Sequence, residues 1–276
     1  MTNSVHTNAS AAIALQNLTT TNNRLAETQG RISTGLKVQG AKDNAAIWAI
    51  AQGQRADLGA LGAVKQSLDR ATSIADVALS AGESISDLLN QLKEKVVAAK
   101  DESLTSQSRA LLDNDFQALL RAIGSAIENA EFDGGNILNG SLSSGIQFLA
   151  NADASASVTL GAQDLSLGGS IIELSLSDTL TTLSGATAAL DSLDNSITQL
   201  NSALGALGAQ AKQITAHNGF VSKLADTLES GIGNLVDADL AKESARLQAL
   251  QVQQQLGAQA LSIANQSPQI ILSLFQ

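Results

Sequence analysis

The chain has 276 residues, with 26 acidic against 16 basic side chains and a formal charge of −10, the wrong sign for a nucleic-acid-binding surface. It contains no cysteine and only two histidines, His6 and His217, which removes disulfides and thiolate ligands and leaves almost no material for zinc or imidazole chemistry. A single proline, Pro268, favours long uninterrupted helices.

Every charged side chain lies between Arg24 and Arg246, so both ends are neutral. The N-terminus has no basic start and no continuous apolar run, and predicts no cleaved leader. Leu15, Leu18, Leu25, Ile32 and Leu36 keep three- and four-residue spacing, with Asn22 and Gln29 in the intervening positions, and predict a helix with one seam. A second helix follows Asp43-Asn44 through Ile47, Leu58, Leu68, Leu79, Leu89 and Val96. Gly53, Gly59, Gly62 and Gly82 lie inside it; each costs about 1 kcal/mol relative to Ala, which close packing must offset.

After a turn at Lys100–Ser103, a third helix is expected over roughly residues 104–130, with Leu112, Phe116, Leu119, Ile123 and Ile127. The period then changes. Asp133-Gly134-Gly135-Asn136 and Asn139-Gly140 signal turns, and Ile146–Leu149, Val158–Leu160 and Ile171–Leu176 read as short strands. From Leu190 to Leu235 an unbroken three/four alternation, polar only at Asn218, predicts a helix ~68 Å long, a length suited to a coiled-coil rod. The tail from Leu247 carries nine Gln and is no membrane span. It has two apolar stripes, Leu247/Leu250/Gly257/Leu261/Ala264 and Ala249/Val252/Leu256/Ala260/Ile263, and two such faces need two neighbours. Assembly between copies supplies them.

Candidate chemistry is sparse. Gly59/Gly62 and Gly205/Gly208 lie within helical repeats and read as helix packing, not as a phosphate loop. Asp237-Ala238-Asp239 with Glu243 lacks the turn glycine and spaced oxygens of a calcium loop and reads as a polar or intersubunit contact. There is no Gly-x-Ser-x-Gly and no His-Glu-x-x-His, so no catalytic, metal or cofactor site is expected. His217 is placed on a helix flank and Trp48 in the packing where the second helix begins. Asn8, Asn17, Asn139 and Asn265 head chance Asn-x-Ser/Thr matches.

The segments Asn17-Leu18, Leu25, Arg31-Ile32-Ser33-Thr34-Gly35-Leu36-Lys37-Val38 and Ala41-Lys42-Asp43-Asn44-Ala45-Ala46 resemble the N-terminal signature of bacterial flagellins. Phe132–Gly140 resembles that family's turn after the third helix. Leu235–Ser244, Gln254–Gln269 and Leu272-Ser273-Leu274 resemble its C-terminal signature. The resemblance implies a mainly α fold: a long antiparallel helical rod with a small β-hairpin region, both termini paired as a coiled coil. It assigns residues 1–43 plus 236–276 to a terminal domain lining a filament channel and 44–235 to a rod domain with a β-rich tip at about 131–180. No outer variable domains are expected. Neutral ends suit a channel wall that must not hold passing unfolded subunits.

By the same resemblance the chain is a structural subunit, not an enzyme, that self-assembles into an extracellular flagellar filament for swimming. It is exported unfolded through the flagellar type III pathway, held beforehand by a chaperone at its C-terminal region, and meets cap and hook-junction proteins; nucleic acid and membrane insertion are not expected. The assembly contacts we assign are Leu18, Leu25, Ile32, Leu256, Leu261 and Ile263, and the polar junction and switch residues are Arg31, Lys42, Asp43, Asp237 and Asp239. Gln91 replaces an Arg and Lys95 a Leu in the motif that a vertebrate innate receptor reads in enteric flagellins, which predicts weak recognition. The first rival is a hook-filament junction protein. A peptidase in the variable region finds no support, since residues 141–184 hold no His and one Glu, Glu173. A soluble helical adhesin or toxin component would not polymerise on seeds.

Overall fold

The computed structural model describes residues 7–273, with side chains as far as residue 266. His6 and Leu274 lie outside the described residues. In chain order the elements are α1 (Ala9–Thr34), α2 (Ala45–Ala99), α3 (Ser106–Glu128), β1 (Ile146–Leu149), β2 (Ser157–Leu160), α4 (Leu183–Val236) and α5 (Leu240–Ser273). This is the expected order of three helices, a β patch and two helices. Local chemistry sets the boundaries. Asn44 Oδ1 accepts the Ile47 amide at 3.1 Å where α2 starts, and Thr105 Oγ1 accepts the Ser108 amide at 3.1 Å where α3 starts. α1 stops at Gly35, whose φ of 73° is left-handed and whose amide donates to Arg31 O. Leu36, expected in the first helix, is therefore past its end and instead bridges Asp237.

The chain divides into two compact units. Asp57–Asp226 forms one of them. Its core holds Leu68, Ile74, Ile85, Leu89 and Leu92 of α2, Phe116, Leu120 and Ile123 of α3, and Leu193, Leu200, Leu207 and Ile214 of α4, all buried. A methyl of Leu204 lies where a Cβ on Gly82 would point, so this glycine lets α4 approach α2. The expectation of close packing fails at Gly53, Gly59, Gly62, Gly205 and Gly208: nothing lies within 4 Å of the Cβ position at any of them. Trp48 is half-buried near the start of α2.

The β patch is smaller than expected. β1 and β2 pair antiparallel, Ile146 opposite Leu160 and Leu149 opposite Ser157. Residues 171–176 do not form a strand. Ile172 and Leu174 are buried and Leu176 is exposed; the backbone makes one bridge, Leu167↔Ile172, and the Glu173 amide donates to Ser196 Oγ of α4 at 3.0 Å. A helix side chain has replaced the missing ladder. The Asp-Gly-Gly-Asn turn forms as read: Phe132 bridges Gly135 around Asp133 and Gly134, both with positive φ, and buried Asn136 donates to Ile127 O at 2.8 Å.

The other unit comprises the chain up to Ala56 and from Thr227 onward. Among the described residues its buried apolar side chains are few: Val38, Ala51, Ile232, Val236 and Leu250. Its main structural feature is the pairing of α1 with α5.

Candidate assembly site

α1 and α5 run antiparallel, and their contacts climb one helix as they descend the other. Asn8 Nδ2 donates to Ala264 O at 2.7 Å, and Gln254 Nε2 donates to Asn22 Oδ1 at 2.8 Å. A Cβ on Gly257 would lie 3.3 Å from Leu18 Cδ1. Arg31 Nη1 meets Glu243 Oε1 at 3.3 Å, and Leu36 bridges Asp237. On α5 the positions turned from solvent are Glu243, Leu247, Leu250, Gln254, Gly257, Leu261 and Ala264, an unbroken alternation of four and three.

The matching row on α1 is Ala11, Ala14, Leu18, Thr21, Leu25, Thr28 and Ile32. This corrects the seam read from sequence at three places: Leu15, Asn22 and Gln29 are exposed, and Ala14, Thr21 and Thr28 take their turns facing α5. The reason is size. Opposite a seam containing Gly257 and Ala264, small residues let the helices close, and Leu18 fills the notch that Gly257 leaves.

Leu18, Leu25, Ile32 and Leu261 thus sit half-buried between α1 and α5 of one chain. Leu256 and Ile263 do not: they are 60% and 66% exposed, on a stripe with Val252, Ala249 and Ala260 that α1 leaves bare. Ile13 and Leu15 of α1 are likewise exposed. One of the two apolar faces of α5 has its neighbour within the chain; the second has none among the described residues.

The junction residues have separate roles. Arg31 stands between Glu27 Oε1 at 2.5 Å and Glu243 Oε1 at 3.3 Å. Asp43 Oδ2 accepts the amides of Gln39 at 2.8 Å and Gly40 at 3.2 Å, closing the loop before α2. Asp239 Oδ1 accepts the amides of Ala241 and Lys242 at 3.0 and 3.1 Å and caps α5. Asp237 donates its own amide to Gly233 O at 2.8 Å and sits opposite Leu36, while its neighbours carry the bridge: the Ala238 amide donates to Gly35 O, and the amides of Lys37 and Val38 donate to Val236 O. Lys42 is exposed. The ion pair draws together only Arg31 and a residue outside the predicted set, Glu243. Its sequence signal was present, because Glu243 precedes Leu247 by four and so heads the packed stripe.

His217 lies on α4 with Nε2 2.8 Å from Ala150 O, a hydrogen bond that fastens the end of β1. A carbonyl only accepts, so Nε2 carries the proton. Among the described residues no helix is long and apolar enough to cross a membrane.

Comparison with known proteins gives two family matches. The bacterial flagellin N-terminal helical region matches residues 5–143, and the bacterial flagellin C-terminal helical region matches residues 190–275. Flagellin FljJ of Caulobacter vibrioides is 51% identical over 275 residues, covering 99% of this chain and 98% of that protein. A flagellin of Brucella melitensis is 41% identical over 281 residues, covering 99% of both. Among solved structures, a Vibrio parahaemolyticus chain provisionally assigned as a flagellar hook-associated protein shares the fold, with a TM-score of 0.54 and 13% identity over 71% of this chain and all of that one.

Proposed function

The chain belongs to the bacterial flagellins, the structural subunits of the flagellar filament, and from that premise we propose that the bare stripe of α5 is where one copy seats against the next. The observation that carries this is the contrast between the two faces of one helix. Leu261 and Leu250 are covered by α1, whereas Val252, Leu256 and Ile263, just as apolar, are open to water. Self-polymerisation gives that face its partner, with Ile13 and Leu15 of α1 as further exposed apolar side chains.

On this reading residues 1–43 and 236–276 form the terminal coiled-coil domain that lines the filament core, and residues 44–235 form the helical rod domain. Leu18, Leu25, Ile32 and Leu261 hold the two terminal helices together so that Leu256 and Ile263 can be presented. Arg31, Lys42, Asp43, Asp237 and Asp239 form the polar junction whose small, salt-screened energies, repeated in every subunit, bias one supercoil over another. Export proceeds unfolded through the flagellar type III apparatus. An export chaperone takes the C-terminal region, and the filament cap and hook-junction proteins meet the assembled ends. The chain carries no catalysis.

The test is seeded growth. Purified chain added to fragments of its own sheared filaments elongates them, and mass spectrometry of those filaments finds this chain as the bulk subunit. Failure to elongate overturns the reading, and presence in only a few copies per filament would assign it to the hook-filament junction. At the junction, Asp43→Ala or Asp237→Ala shifts the filament waveform; an unchanged waveform in both removes the switch assignment.

A further inference from the structure

Neutral ends solve one problem and create another. In α1 the charged residues are Arg24, Glu27 and Arg31, and in α5 they are Lys242, Glu243 and Arg246; the remainder of both helices is apolar or carries amides and hydroxyls. The seam they share is nearly periodic. Its polar cross-links, Gln254 to Asn22 and Asn8 to Ala264 O, use groups that recur along the tail, where Gln248, Gln251, Gln253, Gln255 and Gln259 crowd the same helix. Moving α5 by one heptad in one direction sets Leu250 against Leu18 and is blocked by size, but in the other it sets Ala264 there, one methyl more than Gly257, while the amide cross-links find equivalent partners. Apolar seams of this kind specify register weakly unless a polar residue is placed within them.

One such residue is present. Glu243 is 8% exposed and is the only charged side chain buried among the described residues. It occupies the first position of the packed stripe, and its side chain meets Arg31 across the helix pair. Its second oxygen, Oε2, is buried with no hydrogen-bond partner among the described residues. Arg31 is itself held in place by Glu27 one turn earlier on α1. A carboxylate with one oxygen already unsatisfied tolerates burial only where the guanidinium meets it, because a slipped register leaves the whole charge in a desolvated seam without a cation. The Leu36↔Asp237 bridge aligns the connecting segments just past Thr34 and just before Leu240, and the ion pair is the first contact that carries this alignment into the helices themselves.

We infer that the Arg31–Glu243 pair fixes the register in which α1 and α5 associate, making Glu243 a positioning residue for polymerisation. The inference rests on the filament-subunit reading in one respect, that a correctly registered pair is what presents the outer stripe. Register decides which residues of α1 lie beside Leu256 and Ile263, so a slipped pair offers the next copy a different surface.

The chain's lack of cysteine makes register directly measurable. The Cβ position of Gly257 is 3.8 Å from Leu18 Cβ, within the range of disulfide geometry. The full-length reporter Leu18→Cys/Gly257→Cys closes an intramolecular disulfide on mild oxidation, whereas the reporter Leu18→Cys/Ala264→Cys, one heptad away, closes poorly. Adding Glu243→Gln, which keeps shape and removes charge, lowers the first yield at least fivefold, raises the second, and lowers seeded elongation at least tenfold. The exchange Arg31→Glu with Glu243→Arg, made together with Glu27→Gln so that no second carboxylate faces position 31, restores the first yield and the elongation. Unchanged disulfide yields in Glu243→Gln overturn the proposal, as does a charge exchange that fails to restore them while circular dichroism shows native helix content. Disulfide closure is read on dissolved chains as well as on filaments, so a parent that never elongates refutes the filament reading while the register result stands by itself.

Discussion

At single residues, the structure assigns charge and caps to local tasks that can be removed one at a time. Asp239 satisfies two of the orphan amides at the start of α5, so Asp239→Ala costs about 1 kcal/mol of stability, read as faster amide exchange in the first turn of that helix. Asp101 provides a pH-dependent case. The hydroxyl and amide of Ser103 both donate to Asp101 Oδ1 in the turn between α2 and α3, at 2.8 and 2.9 Å, and hold this exposed carboxyl below the usual carboxylate range. A lowered value means the folded turn binds its proton less readily than the unfolded chain. Its contribution is therefore present above the ordinary carboxylate pKa of about 4 and is lost as the pH falls through the lowered value. Amide protection of Ser103 should decline over that acid window, and Asp101→Asn should abolish the decline. A decline that persists in the variant assigns the effect to another group.

At the scale of the element, the two faces of α5 make separable predictions. Leu256→Ser alters an exposed side chain, so the unfolding midpoint of the isolated chain stays nearly unchanged, while loss of about 1.5–3 kcal/mol of intermolecular burial raises the critical concentration for elongation tenfold or more. Leu261→Ser lies between α1 and α5 and lowers both the protection of those helices and elongation. Equal effects of the two substitutions on the isolated chain would refute the division into inner and outer faces. Both stripes were legible in the sequence, because a three/four spacing reports which residues share a face. Which stripe would be covered was not, since Leu247/Leu250/Leu261 and Val252/Leu256/Ile263 are about equally apolar. The choice depended on Gly257 receiving Leu18, a fact about shape across two distant segments. The same limit explains the seam on α1: Leu15 and Ala14 are adjacent, and only the narrowness of the opposing surface turns the larger one outward. Residues 171–176 read as a strand from their apolar composition, yet Ile172 and Leu174 are buried while Leu176 is exposed, and the absence of a ladder depended on Ser196 of another helix accepting the Glu173 amide.

At the scale of the whole molecule, stability and assembly are distributed unequally. Among the described residues, the unit from Asp57 to Asp226 holds most of the buried apolar side chains, including the large ones on α2, α3 and α4, whereas the terminal unit has five and leaves apolar residues of α1 and α5 exposed. Opening free energies follow local burial, so the terminal helices of the dilute chain exchange their amides far faster than the core of α2 and α4, and polymerisation protects them once the outer stripe acquires its neighbour. A chain trimmed to residues 44–235 consequently retains the main cooperative unfolding transition with a midpoint within a few degrees of the parent, since the removed residues contribute little to that core. It does not elongate filament seeds at any concentration, having lost both the stripe and the helix that orients it. Elongation by the trimmed chain would place the decisive contacts in the larger unit, and collapse of its unfolding transition would show that the terminal unit supports the core after all.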